Sequence, residues 1–118
     1  MKVHYSPSEN QEYFFDEGCY ILELCNSAEH QELSIARARV KPNQETELHA
    51  LIDTAERYII QQGQGIATID AQKYIVSTND VLLIKPNVSQ KIHNTGKNDL
   101  IFLVVCTPRF QPECYQSR

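Results

Sequence analysis

Short apolar segments separated by turn-forming residues run through almost all of this 118-residue chain, and helical periodicity is nearly absent. Pro42-Asn43, Gly63-Gln64-Gly65 and Thr95-Gly96-Lys97-Asn98 are typical turn sequences. The predicted strands are Cys19–Cys25, Ser34–Val40, Glu45–Leu51, Glu56–Gln61, Ile66–Ile69, Tyr74–Val76, Val81–Ile84, Ser89–Asn94 and Leu100–Cys106. About ten short strands in a chain of this size predict an all-β sandwich or barrel.

Length and charge narrow the classes of function. The chain is long enough for one domain, and apolar residues make up 42% of it, which is enough for a buried core. The net charge is −4 and the 11 Lys and Arg residues are scattered, so we expect no nucleic-acid partner and no anionic membrane surface as partner. No apolar run approaches the ~20 residues of a membrane span. The chain also opens without the apolar region of a signal peptide, so a cytoplasmic location is expected.

The pattern divides the chain into three parts. Residues 1–18 are predicted to form an irregular N-terminal arm, residues 19–107 the β-domain and residues 108–118 a surface tail broken by prolines. Aromatic residues of the arm need a surface to pack against, either in the same chain or in a second copy. The four cysteines have no CxxC spacing, which favours free thiols in a reducing compartment.

One pair of predicted strands carries the residues that are best suited to metal binding or proton transfer. Because side chains alternate along a strand, His49 and Leu51 share one face, and Glu56 and Tyr58 share one face of the next strand. If residues 52–55 form a hairpin loop, His49 lies opposite Tyr58 and Leu51 opposite Glu56. The apolar members of this set favour the interior of the domain.

A buried imidazole and a buried carboxylate are costly unless each has a partner. A divalent cation such as Zn, Ni, Fe, Mn or Cu would partner both His49 and Glu56. The alternative is that the two groups hydrogen-bond to each other or to Tyr58, with no metal. Two strong ligands make a weak metal site, so the local pattern alone favours the alternative.

The same residues resemble the first motif of the cupin superfamily, which are small jelly-roll β-barrels. That motif reads G-x5-H-x-H-x3,4-E-x6-G. Here Asn43, His49, Leu51, Glu56 and Gly63 occupy its five signature positions with the family's spacing. Two identities differ, because asparagine replaces the first glycine and leucine replaces the second histidine. The resemblance implies a single-domain cupin-type jelly-roll β-barrel.

The segment Asp80–Gly96 resembles the second cupin motif, and its run Asn94-Thr95-Gly96 fixes the register. This register places Gln90 where the family has its third metal-binding histidine. The resemblance therefore implies a degenerate divalent-metal site formed by His49, Glu56 and Gln90, in which the glutamine is a weak ligand. His93 falls on the opposite face by alternation and is expected to be exposed.

Three functions stay open, because cupins carry many unrelated activities. The first is a metal-dependent enzyme that acts on a small molecule. The second is a metal-free sugar isomerase or epimerase that uses His49 as base and Tyr58 as acid, with Leu51 and Tyr58 lining the ligand pocket. The third is a non-catalytic module for a small ligand, in which Arg37 and Arg39 could pair with an anion. The resemblance also implies a homodimer, which we expect to form through the N-terminal half.

Overall fold

A computed structural model describes all 118 residues, and the chain folds into eleven strands with two 3₁₀ turns at Glu9–Gln11 and Pro112–Cys114. The strands are β1 (Tyr13–Phe15), β2 (Cys19–Cys25), β3 (Ser34–Val40), β4 (His49–Leu51), β5 (Ala55–Gln62), β6 (Gln64–Ile69), β7 (Gln72–Ser77), β8 (Val81–Ile84), β9 (Gln90–Asn94), β10 (Leu100–Thr107) and β11 (Tyr115–Ser117). The predicted all-β class is confirmed. The structure contains no helix with the length and hydrophobicity that a membrane span requires.

The strands form two antiparallel sheets that face each other in a jelly roll. The first sheet has the order β1-β2-β3-β10-β5-β8, and the second has the order β11-β4-β9-β6-β7. Strands that follow one another in sequence often lie in different sheets, as expected when the chain crosses repeatedly between the layers of a sandwich. The space between the two sheets holds both the core and the candidate site.

Alternating side chains of both sheets fill the core. In β10 the residues Leu100, Phe102 and Cys106 point inward and are buried, while the four residues between them are half-buried. Phe102 packs its ring on Tyr58 of β5 with the centroids 4.5 Å apart. Burial of each large apolar side chain stabilises the fold by about 1.5–3 kcal/mol. The inner face is therefore mainly apolar, and its polar side chains are those of the site together with a few hydrogen-bonded groups such as Asn94, which donates to the Val40 carbonyl.

The predicted hairpin between His49 and Tyr58 is wrong. β4 belongs to the second sheet, where His49 pairs with Gln90 of β9, while β5 belongs to the first sheet and pairs with β10 and β8. The connection does not turn back on itself, because the Ile52 N–H donates to the Cys114 carbonyl and the Leu51 carbonyl accepts from the N–H of Asn87. His49 and Tyr58 consequently face each other across the sandwich, not along one sheet.

The arm and the tail are both more ordered than predicted. Within residues 1–18, the short strand β1 pairs with β2 through a three-residue loop, and the part before β1 contains only the 3₁₀ turn Glu9–Gln11. Within residues 108–118, β11 adds to the edge of the second sheet beside β4. The aromatic rings of both segments pack together, with Phe15 in edge-to-face contact with Phe110 and Tyr115. These two segments form the rim of the cavity described next.

Candidate functional site

A cavity of about 50 Å³ lies between the two sheets, beneath the arm and the tail. Most of the 17 residues that line it are hydrophobic, and the polar side chains among them are Glu17, Glu23, Ser34, His49 and Glu56. A water molecule needs about 10–15 Å³ of such space, so the cavity has room for a few waters or a small ligand. Tyr13, Phe15 and Phe110 are its aromatic members near the rim.

His49 comes from β4 and is 1% exposed. Its Nδ1 lies 2.7 Å from the Glu47 carbonyl oxygen, which can only accept, so Nδ1 carries the proton of the neutral ring. The Tyr115 ring stacks on the imidazole with the centroids 4.9 Å apart and fixes its plane. Burial lowers the pKa of His49 below its usual value. The imidazole is therefore neutral near pH 7, and Nε2 presents a lone pair.

Glu17 lies in the three-residue loop between β1 and β2, and it was absent from the residues singled out in the sequence. The next residue, Gly18, has a φ of +107°, and a Cβ there would approach the Glu45 carbonyl oxygen to 3.2 Å. This close approach lets the Glu47 N–H donate to the Glu17 carbonyl oxygen at 2.6 Å. The loop is thereby tied over the cavity, with Glu17 Oε2 3.9 Å from His49 Nε2.

The environment of Glu17 favours its protonated form. The side chain is 13% exposed. Burial, followed by the charge of Glu56, raises its pKa from 4.5 to about 8. The carboxyl therefore keeps its proton near pH 7, when the neighbouring imidazole is neutral.

Glu56, Gln90 and Tyr58 form a buried chain of hydrogen bonds across the sandwich. The Tyr58 hydroxyl donates to Gln90 Oε1, and Gln90 Nε2 donates to Glu56 Oε1. Burial raises the pKa of Glu56 from 4.5 to about 7, although the Gln90 hydrogen bond acts in the opposite direction. Burial also raises the pKa of Tyr58 well above 10. Tyr58 therefore holds its proton and uses it to orient the glutamine.

The structure brings most of the predicted site residues together. His49, Leu51, Glu56 and Tyr58 all line the cavity, and Gln90 lies behind it in contact with Glu56 and Tyr58. Their roles stay predictions, since a shared cavity does not establish a ligand.

Two side chains considered in the sequence lie elsewhere. Arg37 and Arg39 bind Glu12 of the arm, and His93, expected to be exposed, is half-buried on the other face of its strand. The sequence did contain one signal for Glu17, because a Glu-Gly pair directly before the first apolar strand is typical of a tight turn.

The side chains do not fit the divalent metal predicted from the sequence. The family's usual ligands are three histidines and one glutamate, whereas Leu51 offers no donor atom. Gln90 turns its NH₂ group toward Glu56 and its oxygen accepts from Tyr58, so the oxygen that was expected to be a ligand is already used. No group of three His, Cys, Asp or Glu side chains in the molecule is arranged to hold a metal ion.

The chain belongs to the cupin family. Residues 36–106 match the model of the Cupin domain, which covers more than half of the chain. A protein of Methanocaldococcus jannaschii that is described as uncharacterized, MJ1618, is 32% identical over 103 residues, spanning 86% of this chain and 82% of that protein. The predicted cupin membership is thus confirmed.

Solved structures show the same fold. The chain is similar to KdgF from Halomonas, with a TM-score of 0.82 and 11% identity over 96% of this chain and 99% of that one. It is similar to a predicted oxalate decarboxylase from Thermotoga maritima, with a TM-score of 0.80 and 24% identity over 90% of this chain and 99% of that one. It is also similar to the nucleoside dehydratase Pac13 from Streptomyces, with a TM-score of 0.80 and 12% identity over 98% of this chain and 92% of that one. Variants of the dehydratase have been solved with uridine.

Proposed function

We propose that this cupin binds a small organic molecule in the cavity and transfers a proton on it without a metal, with His49 as base and Glu17 as acid. The observation that carries the proposal is the position of the two groups. His49 Nε2 and Glu17 Oε2 line one cavity 3.9 Å apart, so one small molecule can contact both. Proton transfer between a positioned acid, a positioned base and a substrate accelerates reactions by about 10²–10⁴-fold.

The protonation states near neutral pH support these roles. The pKa of His49 is lowered by burial, and its Nδ1–H is committed to the Glu47 carbonyl, so Nε2 can accept a proton. The pKa of Glu17 is raised to about 8, so its carboxyl can donate one. Two titratable groups whose surroundings move their pKa values in opposite directions are a frequent arrangement for acid–base catalysis.

Glu17 takes the role that the sequence had suggested for Tyr58. The Tyr58 hydroxyl donates to Gln90, and its pKa is raised well above 10, so it is a poor proton donor near pH 7. Dehydration and isomerisation of small oxygenated molecules both need a base that removes a proton and an acid that delivers one. The fold is shared with a nucleoside dehydratase, and it can therefore accommodate such chemistry. The sequence identity of 12% is too low to indicate that the two proteins act on the same substrate.

Hydrogen–deuterium exchange tests the proposal directly. Candidate sugars, nucleosides and hydroxy acids would be incubated with the protein in D₂O, and loss of a carbon-bound proton followed by NMR. We expect exchange into at least one class, reduced by about 10²-fold or more in His49→Gln and in Glu17→Gln. The exposed Glu113 gives a matched control, because Glu113→Gln makes the same chemical change away from the cavity. Exchange that survives both cavity substitutions would contradict the assignment.

We also propose that the protein is a cytoplasmic homodimer that associates through its N-terminal half. β1 is one of the two edge strands of the six-stranded sheet, and Phe14 on that edge is 58% exposed. An unpaired strand edge with an exposed aromatic ring is a frequent place for a second copy to pair. Light scattering at micromolar concentration should give a dimer for the wild type and a monomer for Phe14→Ser. A wild-type monomer would contradict the proposal.

A further inference from the structure

We propose that the cavity selects a small primary ammonium ion over neutral or anionic molecules of the same shape. This inference rests on the proposed function, because it names the substrate class for the same cavity. Three features support it: the charge of the lining residues, the hydrogen-bonding groups that have no strong partner, and the aromatic rim.

The cavity is acidic and has no compensating cation. Glu17, Glu23 and Glu56 are among its lining residues, which include no lysine and no arginine. The two arginines of β3, Arg37 and Arg39, do not neutralise the acidic lining. The alanines that alternate with them point into the cavity, so the two arginines lie on the outer face of β3. A cation bound here would favour the ionised form of these carboxyl groups and so meet complementary charge, whereas a carboxylate would find no cation to pair with.

The acceptors that face the cavity match the donors of an ammonium group. His49 Nε2 lies 3.9 Å from Glu17 Oε2, which is beyond hydrogen-bonding distance. Glu56 is 6% exposed, and its Oε2 has only the Cys106 thiol near it, at 4.0 Å. Together with the Glu17 carboxyl these groups provide three acceptor sites. A primary ammonium carries three N–H donors and no acceptor.

The size and rim of the cavity favour a short organic cation. A volume of about 50 Å³ corresponds to a few water molecules, which suits a chain of about three carbons with one nitrogen. Tyr13, Phe15 and Phe110 line the entrance side, and Phe15 and Phe110 meet edge to face with their centroids 6.4 Å apart. Aromatic faces attract cations and also cover the alkyl part of such a ligand.

Three probes of nearly equal size test the charge preference: n-propylammonium, n-propanol and propionate. Each would be titrated into the protein near pH 7.5 at constant ionic strength, with binding followed by calorimetry and by NMR shifts of cavity residues. The amine stays protonated there, as a lysine side chain does. We expect n-propylammonium to bind at least about tenfold more tightly than n-propanol, and propionate not to bind.

Substitution of the acidic groups provides the second arm. Glu17→Gln keeps the size of the side chain but can no longer release a proton to form a carboxylate beside the bound cation, so it should weaken n-propylammonium binding by about tenfold or more, while Glu113→Gln should not. If Glu17→Gln does not fold, the wild-type preference among the three probes decides alone. Equal or tighter binding of n-propanol or propionate would overturn the inference.

The two proposals fail in different ways. Ammonium binding with no deuterium exchange in any amine or sugar would support the ligand class and remove the catalytic role. Exchange in a neutral or anionic substrate, with no ammonium preference, would keep the catalytic role and remove the ligand class. The same charge pattern leads us to expect that dicarboxylates such as oxalate do not bind to this protein. In this respect it would differ from the structurally similar predicted oxalate decarboxylase of Thermotoga maritima.

Discussion

Replacing Glu17 by glutamine should make the protein more stable at alkaline pH and leave its stability at acidic pH unchanged. The folded-state pKa of this carboxyl is raised to about 8 from 4.5, mainly because it is buried. Between these two values the unfolded chain has released the proton and the folded protein still holds it. The free energy of unfolding therefore falls as pH rises through this range, since the folded state binds the additional proton.

The expected size follows from the width of the range. One proton gives a slope of about 1.4 kcal/mol per pH unit, so full retention up to pH 8 would amount to about 5 kcal/mol. The side chain is 13% exposed and Glu56 titrates nearby, and both reduce the part assigned to Glu17. We expect Glu17→Gln to be about 2–3 kcal/mol more stable than the wild type at pH 8 and equal to it at pH 4.5.

Urea unfolding at a series of pH values measures this difference. Wild type, Glu17→Gln and the exposed-site control Glu113→Gln would be compared with a chelator present, so that trace metal cannot contribute. The curves of wild type and Glu113→Gln should fall together toward alkaline pH, and the curve of Glu17→Gln should fall less steeply. Parallel curves for all three proteins would refute the reasoning, because Glu17 would then titrate alike in the folded and unfolded states.

Three further predictions concern the backbone, the core and the metal. Gly18→Ala places a methyl group 3.2 Å from the Glu45 carbonyl oxygen at a φ of +107°, and it should lower the free energy of unfolding by about 1–3 kcal/mol in thermal unfolding. Gly96→Ala is the control and should lower it less, because the added methyl group meets the flexible side chain of Gln64. Phe102→Ala removes a ring that is 2% exposed and should cost about 3–5 kcal/mol by urea unfolding, with no change in fold by circular dichroism. Wild type and His49→Ala, purified without an affinity tag, should contain the same substoichiometric zinc, nickel and iron by mass spectrometry, and a stoichiometric metal lost in His49→Ala would contradict the donor geometry.

Strand content and fold family could be predicted from the sequence because both depend on local patterns. Alternation and turn residues determine where strands begin and end, and the spacing between His49, Glu56 and Gly63 identified the family. The pairing of strands could not be predicted in the same way. Whether residues 52–54 close a hairpin or cross to the other sheet depends on partners as distant as Cys114, and the local sequence does not contain that information.

The candidate site could be predicted only in part, again because local patterns reveal strand residues better than loop residues. His49, Glu56 and Tyr58 could be placed inside the domain because each alternates with apolar neighbours on a strand. Glu17 lies in a loop, where side-chain direction has no period, and it reaches the cavity only through the φ of Gly18 and the hydrogen bond from Glu47. Loop residues that act together with strand residues are those that periodicity is least able to find.

Two departures from the cupin motifs, Leu51 in the first and Gln90 in the second, act on one another through Glu56. In a buried site a carboxylate needs either a positive charge or hydrogen-bond donors. With Leu51 in place of a ligand, a cation would have too few donors, and Gln90 instead directs its NH₂ group at Glu56 while Tyr58 fixes the amide orientation. One neutral donor compensates less than a cation does, so the pKa of Glu56 stays raised, to about 7. With an amide at Gln90 and no lysine or arginine in the lining, the cavity keeps acidic groups that no cation of the protein neutralises. An ammonium ligand, as proposed above, would supply the missing positive charge.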